Sequence, residues 1–433
     1  MNPLNHEVIK ILFYSTAALG LSTKFYKWFN MKKIKNDSLN KIQIVYLICH
    51  FSFTSGFIFQ GPYVHQRYHE NGMTSDQIND IMSIFNIVSA FWGFFVGYAC
   101  EILGHKTLIV LSAIFLSTHS VLRYIGGFYF FIIASVLQGL STASNRVVFE
   151  DWLALQLEQT KQDRGAMSVV KENSALLNLI LTIVMTPVSQ KLTTKYGVSA
   201  AFSGSALLFA FSAIIVILLL PKPLQSNAKR QKSGFFGAFV RIASNMGTSF
   251  SFSTTIFLDL FYTMFGLLYH PRWLSFHKAT KDEKLPLSQI STTNSISQLN
   301  GAQITSAIVS ILSFNSTLIL GFGSSTVSMI LMYYLYNDKN YVTLFYALAS
   351  TFDGSVNSCM SSIRASQYPD DVRKHLLGIL RVPASLIVTM LLQKLKGIEA
   401  DSILFICISI SLLCLVLSLL LRILEGRKGS KTK

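Results

Sequence analysis

Apolar residues run along this chain in stretches of about twenty, nearly free of charge and without the alternate-residue rhythm of strands, and short polar clusters separate them. A stretch of that length crosses a hydrocarbon core of about 30 Å as a helix. Backbone amides in lipid must be satisfied within their own segment, and unbroken apolar runs rule out the dyad pattern of a closed barrel. The pattern therefore predicts an all-α polytopic membrane protein. Thirteen spans follow from it, near 7-27, 41-64, 78-101, 106-125, 127-153, 165-190, 197-220, 244-270, 287-314, 316-336, 341-363, 374-395 and 401-423. The first is weaker and more amphipathic, so residues 1-30 read as an extra N-terminal apolar helix. It has no small-residue cleavage site, and it either spans the membrane or lies along its surface.

Composition agrees, with 51% hydrophobic and only 13% charged residues, about half the charged share of a soluble chain. The Lys and Arg residues fall unevenly. If the loop with Lys32, Lys33 and Lys35 is cytosolic, so are the loops holding Lys161 and Arg164, Lys222 to Lys232, and Arg373 and Lys374, and so is a basic tail at 424-433. The positive-inside rule then places the C-terminus in the cytosol, although Arg272, Lys278, Lys281 and Lys284 in one outer loop oppose it. This asymmetry accounts for the net charge of +16. The basic clusters sit in short loops, which suits anionic inner-leaflet lipid rather than nucleic acid. Sequons at Asn36 and Asn315 fall on the cytosolic side of this scheme and should stay unglycosylated.

Cys49, Cys100, Cys359, Cys407 and Cys414 all fall in spans without CxxC spacing or a His at metal-ligand spacing, so they read as small core residues. The chain carries no Gly-rich phosphate cradle and no nucleophile with a base at usable spacing. Neither an enzyme nor an ATP-driven pump is expected, and no cofactor.

The longest basic stretch, residues 221-243, separates six spans (41-220) from six (244-423). After the second body span comes Gly97-Tyr98-Ala99-Cys100-Glu101-Ile102-Leu103-Gly104-His105-Lys106. It resembles the G-x-x-x-D-x-x-G-R-[KR] loop of the major facilitator superfamily, with Glu101 for the usual Asp and His105 for the usual Arg. The resemblance implies the major facilitator fold: two six-helix bundles that rock about a midplane site.

Further segments resemble one branch, the molybdate-anion transporters. They are Gln60-Gly61-Pro62-Tyr63 with Tyr68, Gly139-Leu140-Ser141-Thr142-Ala143 followed by Phe149-Glu150 and Trp152, and Arg381-Val382-Pro383 preceded by Arg364 and Pro369. The chain departs from that branch at Ser135, Arg146, Ser358 and Asp259. The resemblance implies a secondary transporter that imports a small oxyanion, molybdate above all. The plasma membrane is the default location, since no retention or sorting tail is evident. Sulfate, a sugar or an organic cation, or a transport-dead scaffold or receptor, are the alternatives.

Charges deep in spans are costly and mark cavities or ion pairs. Arg146 and Arg381 are the basic candidates, and Glu150, Asp151, Asp259 and Asp353 the acidic ones. Arg381 can supply forked donors to a dianion, or act as an inner-gate salt bridge or headgroup anchor. Arg146 and Glu150 share a helix face and can pair; Glu150 and Asp259 are candidates for proton coupling, and Asp259 also for the partner of Arg381. Arg364 reads as a gate or lipid-facing base, and Glu101 as a gating acid. Gln60, Tyr63, Asn145 and Trp152 either complete a polar pocket or tie helices together.

Overall fold

The computed structural model describes residues 37–160, 165–221, 287–312, 314–335, 339–367, 373–394 and 400–431, with short fragments at 14–15, 18, 22, 253–258, 260–261 and 264. The expected first span, the basic linker beyond Pro221 and most of the span at 244-270, including Asp259, lie outside the described residues.

Every regular element among the described residues is helical. α1 (Asp37–Gln60), a short 3₁₀ turn (Gly61–Tyr63) and α2 (Val64–Glu70) run on from one another. α3 (Ser75–Leu103), α4 (His105–Ile125), α5 (Phe128–Gln159), α6 (Gly165–Tyr196) and α7 (Ser199–Leu219) follow. Later come α8 (Leu287–Ile311), α9 (Phe314–Tyr334), α10 (Lys339–Gln367), α11 (Arg373–Lys394) and α12 (Ala400–Lys431). Six helices among the described residues are long and apolar enough to cross a membrane.

Local chemistry sets the ends. Thr74 caps α3 through a reciprocal box, its Oγ1 accepting from the Gln77 amide at 3.3 Å while Gln77 Oε1 accepts from the Thr74 amide at 3.0 Å. The last carbonyls of α4 would be orphaned, but Arg67 reaches across from α2, Nε donating to the Arg123 carbonyl at 3.1 Å and Nη2 to that of Tyr124 at 2.5 Å.

The chain divides into two compact units, residues 32–244 with 368–397, and residues 1–31 with 245–367 and 398–433. In the first, α4 packs on α5 and α7, α1 on α6 and α7, and α3 on α5 and α11. Gln393 of α11 donates to Asp80 of α3 at 3.1 Å. In the second, α8 and α9 pack on α10, and α9 on α12.

Helices in lipid gain nothing from hydrophobic exclusion, so packing and small polar groups hold them. The hydroxyl of Ser205 donates to the Gly56 carbonyl at 2.6 Å, that of Ser189 to Phe59 at 2.7 Å, and that of Ser117 to Ala206 at 2.9 Å. The hydroxyls of Thr326 and Ser411 bond to each other between α9 and α12 at 2.8 Å. Gly139 lets α5 close on α3, because a Cβ there would stand 2.9 Å from the Phe85 carbonyl oxygen. Around these contacts Tyr46, Phe53 and Phe149 form an edge-to-face aromatic core. The outer faces invert the pattern of a soluble protein: Leu207, Phe211, Ile214 and Leu218 form an exposed apolar stripe on α7, and Leu218 is 74% exposed. Such a stripe belongs against lipid acyl chains.

Candidate functional site

The first unit carries a series of buried polar groups along the faces of α1, α5 and α6. Phe149 of α5 packs against Tyr46, His50 and Phe53 of α1, which fixes the register of the two helices. His50 Nδ1 lies 3.2 Å from Ser174 Oγ of α6 and 3.3 Å from Thr54 Oγ1. One turn before Phe149, both amide atoms of Asn145 are buried without a hydrogen-bond partner, as are Thr142 Oγ1, Asn178 Oδ1 and the Tyr63 hydroxyl. Native interiors leave few such groups, and those that remain call for an explanation. At α3, Trp92 Nε1 donates to Ser144 Oγ at 2.7 Å.

The same unit holds a buried cation. Arg123, in the last turn of α4, is 3% exposed. Its Nη2 donates to the Tyr68 hydroxyl at 2.8 Å and to Gln138 Oε1 at 3.0 Å, while Nε is buried without a partner. The guanidinium also lies over the Tyr68 ring, 5.4 Å from its centroid. No carboxylate of the described residues forms a salt bridge with it. Ser120, one turn back, donates to Gln60 Oε1 at 3.2 Å. His119 Nδ1 sits 2.8 Å from the Ala134 carbonyl, which can only accept, so Nδ1 carries the proton and the buried Nε2 presents a lone pair without a partner.

Of the expected site residues, Gln60 and Tyr63 fall in this region, buried at 2% and 5%, and so does Asn145. Trp152 is fully buried within the apolar core, its Nε1 donating to the Pro221 carbonyl at 3.3 Å. Arg146 lies on an exposed face of α5 and Glu150 is half-buried, each with a polar or electrostatic contact. Arg364 falls on α10 and Arg381 on α11, while their side chains lie outside the described residues. Arg123 was not among the sequence candidates, because it stands at the end of its span, where a basic residue ordinarily anchors at the interface. The pairing signal was Tyr68, whose role only the fold reveals.

A second cluster forms where α3 meets α4. Gly104, with φ +80°, turns the chain between the helices, a conformation that disfavours a side chain. The turn places His105 Nε2 2.9 Å from Asp151 Oδ2 of α5, with 11% and 8% of those side chains exposed. The base of the loop motif is thus paired with Asp151, while Glu101 is exposed and has a contact of its own.

The Major Facilitator Superfamily sequence profile matches residues 46–391. No curated protein matches the chain by sequence. Among solved structures, a mutant form of the nucleoside transporter NupG superposes with a TM-score of 0.67 at 11% identity, over 88% of this chain and 99% of that one. The human organic anion transporter MFSD10 (TETRAN) superposes with a TM-score of 0.62 at 13% identity, over 89% of this chain and all of that one. Identities this low speak to the fold alone. The profile match over most of the sequence and the apolar helices together establish that the chain is a multi-pass membrane transporter of the Major Facilitator Superfamily.

Proposed function

We propose that this transporter is a secondary carrier that imports a small oxyanion, molybdate foremost, by alternating access. The observation that carries the anionic class is Arg123, a buried guanidinium whose hydrogen-bond partners are the neutral Tyr68 hydroxyl and Gln138 amide. Burying a cation without an opposite charge is expensive, and an anionic substrate relieves that cost. Guanidinium suits a tetrahedral dianion because it offers several N–H groups in a fixed fork and stays charged at physiological pH. Tyr68 accepts from Arg123, which leaves its own hydrogen to donate to a substrate oxygen. Gln60, Tyr63 and Asn145 add polar groups along the same unit. The human organic anion transporter that this chain resembles in fold also takes an anionic class of solute.

In this reading Arg381 supplies a second cationic contact on the cytosolic side, and Arg364, Arg146 and Glu101 take part in gating. Glu150 and Asp259 carry protons for coupling, and the protein resides in the plasma membrane with its C-terminus in the cytosol. The resemblance of Gln60-Gly61-Pro62-Tyr63, Gly139 to Ala143 and Arg381-Val382-Pro383 to the molybdate-anion branch supports molybdate over sulfate, a sugar or an organic cation.

The test is molybdate uptake, read by elemental mass spectrometry, in cells that lack their own system and express the wild-type chain, Arg123→Gln or Arg381→Ala, with sulfate as competitor. Saturable uptake that falls at least tenfold in Arg123→Gln, with the variant at the cell surface, supports the reading. Uptake that survives in that variant removes Arg123 from the site, and none above the empty-vector control removes molybdate.

A further inference from the structure

The corner between α3 and α4 brings together three side chains that ligate soft and borderline metals. Cys100 lies in the last turn of α3, His105 opens α4, and Asp151 projects from α5. The Cys100 sulfur, a His105 ring nitrogen and an Asp151 carboxylate oxygen all lie within 4.8 Å of one another. Cys100 and Asp151 are buried at 5% and 7%. We propose that these three residues form a binding site for a divalent transition metal of the zinc class, with water in the fourth position.

The donor set argues for that class. Thiolate, imidazole and carboxylate together suit zinc, whereas calcium and magnesium take oxygen ligands. Metal–ligand bonds of about 2.0 to 2.3 Å give ligand-to-ligand edges of roughly 3.3 to 3.8 Å. The 2.9 Å contact between His105 and Asp151 must therefore open by a few tenths of an ångström and the sulfur move in, which side-chain rotation supplies. The geometry is built by the backbone: Gly104 turns the chain with φ +80°, and its amide donates to the Cys100 carbonyl at 3.1 Å. Binding exchanges the His–Asp hydrogen bond for two metal bonds and releases the Cys100 thiol proton to water. The bound ion ties the α3–α4 corner to α5.

The full chain, purified in detergent with a non-histidine affinity tag and stripped of metal, is titrated with Co(II). A thiolate-to-cobalt charge-transfer band and tetrahedral visible bands are expected, saturating at about one ion per chain and bleached by Zn(II). A variant with Cys49, Cys359, Cys407 and Cys414 replaced by Ala keeps both bands, whereas Cys100→Ser loses the charge-transfer band. His105→Asn, which leaves the thiol in place, weakens cobalt binding by roughly tenfold or more and decides the matter if Cys100→Ser does not run as a monodisperse species. No charge-transfer band in the wild type, a band that persists in Cys100→Ser, or unchanged affinity in His105→Asn overturns the site.

Discussion

Arg123 donates to the Tyr68 hydroxyl at 2.8 Å and lies over the same ring, so one tyrosine meets the guanidinium both through its oxygen and through its face. The contact joins α2 to α4, two elements that Arg67 also ties together through the final carbonyls of α4. Tyr68→Phe keeps the ring and removes the acceptor. A hydrogen bond to a charged group contributes about 1.5 to 3 kcal/mol, so the purified variant should melt at a lower temperature than wild type. Its oxyanion uptake should fall less than that of Arg123→Gln, because the charge remains. An unchanged melting temperature would mean that the bond does not form in the protein.

Gly139 makes a separate prediction about packing. A Cβ at this position would stand 2.9 Å from the Phe85 carbonyl oxygen and 3.1 Å from the Ser89 amide nitrogen, both rigid backbone atoms of α3. Gly139→Ala should destabilise the protein, and Gly139→Leu should do so further, by about 1 to 3 kcal/mol or more. Thermal unfolding in detergent measures the order. A Leu variant as stable as wild type would show that α3 and α5 do not approach this closely.

The His105–Asp151 contact is short and largely buried, so it should couple energetically. A double-mutant cycle with His105→Ala and Asp151→Asn, assembled without added metal, should give a coupling of about 1 to 2 kcal/mol. His105→Arg should retain much of it, since guanidinium pairs well with carboxylate. Additive single-mutant effects would deny the pairing.

Much of the fold was legible because lipid removes alternatives. Hydropathy located α1 and α3 to α12 to within several residues, since twenty apolar residues in a row can only be a buried or lipid-facing helix; it did not foresee the short polar α2. It erred at the ends: α5 runs to Gln159 and α6 to Tyr196, beyond the apolar stretches. Hydropathy senses the hydrocarbon limit, whereas hydrogen bonds and caps end a helix. The candidate site was less legible. Gln60 and Tyr68 were visible through a motif, but the cation that bonds to Tyr68 stands in the last turn of α4 and needed the helix crossing to identify it. Charge alone pointed to Arg146, and one-dimensional spacing does not say which way a residue faces; it lies on an exposed face of α5 with a contact of its own. Trp152 has a polar nitrogen and a large apolar body; the body lies in the apolar core and the nitrogen on the Pro221 carbonyl.

Topology gives a further check. With the charge-rich loops inside, the Asn36 and Asn315 sequons never meet the glycosylation machinery. The chain should show no shift on glycosidase treatment, and a C-terminal epitope should be detectable only after the membrane is permeabilised. Glycan at either Asn would reverse the assignment, because loop charge sets orientation only as a sum.

Asn145 offers the sharpest separation of stability from function. Both of its amide atoms are buried without a partner, a burden of about 1 to 3 kcal/mol for each desolvated group. A residue kept only for packing would be better as leucine, which has the same branched skeleton, though larger, and leaves nothing unpaired. Asn145→Leu should therefore raise the melting temperature. It should also lower oxyanion uptake if, as in the proposed reading, the amide that is idle in this conformation meets substrate in another. Asn145→Asp, which keeps the shape but adds negative charge, should depress anion uptake further by repulsion. A leucine variant that is both more stable and fully active would show that the amide has no part in transport.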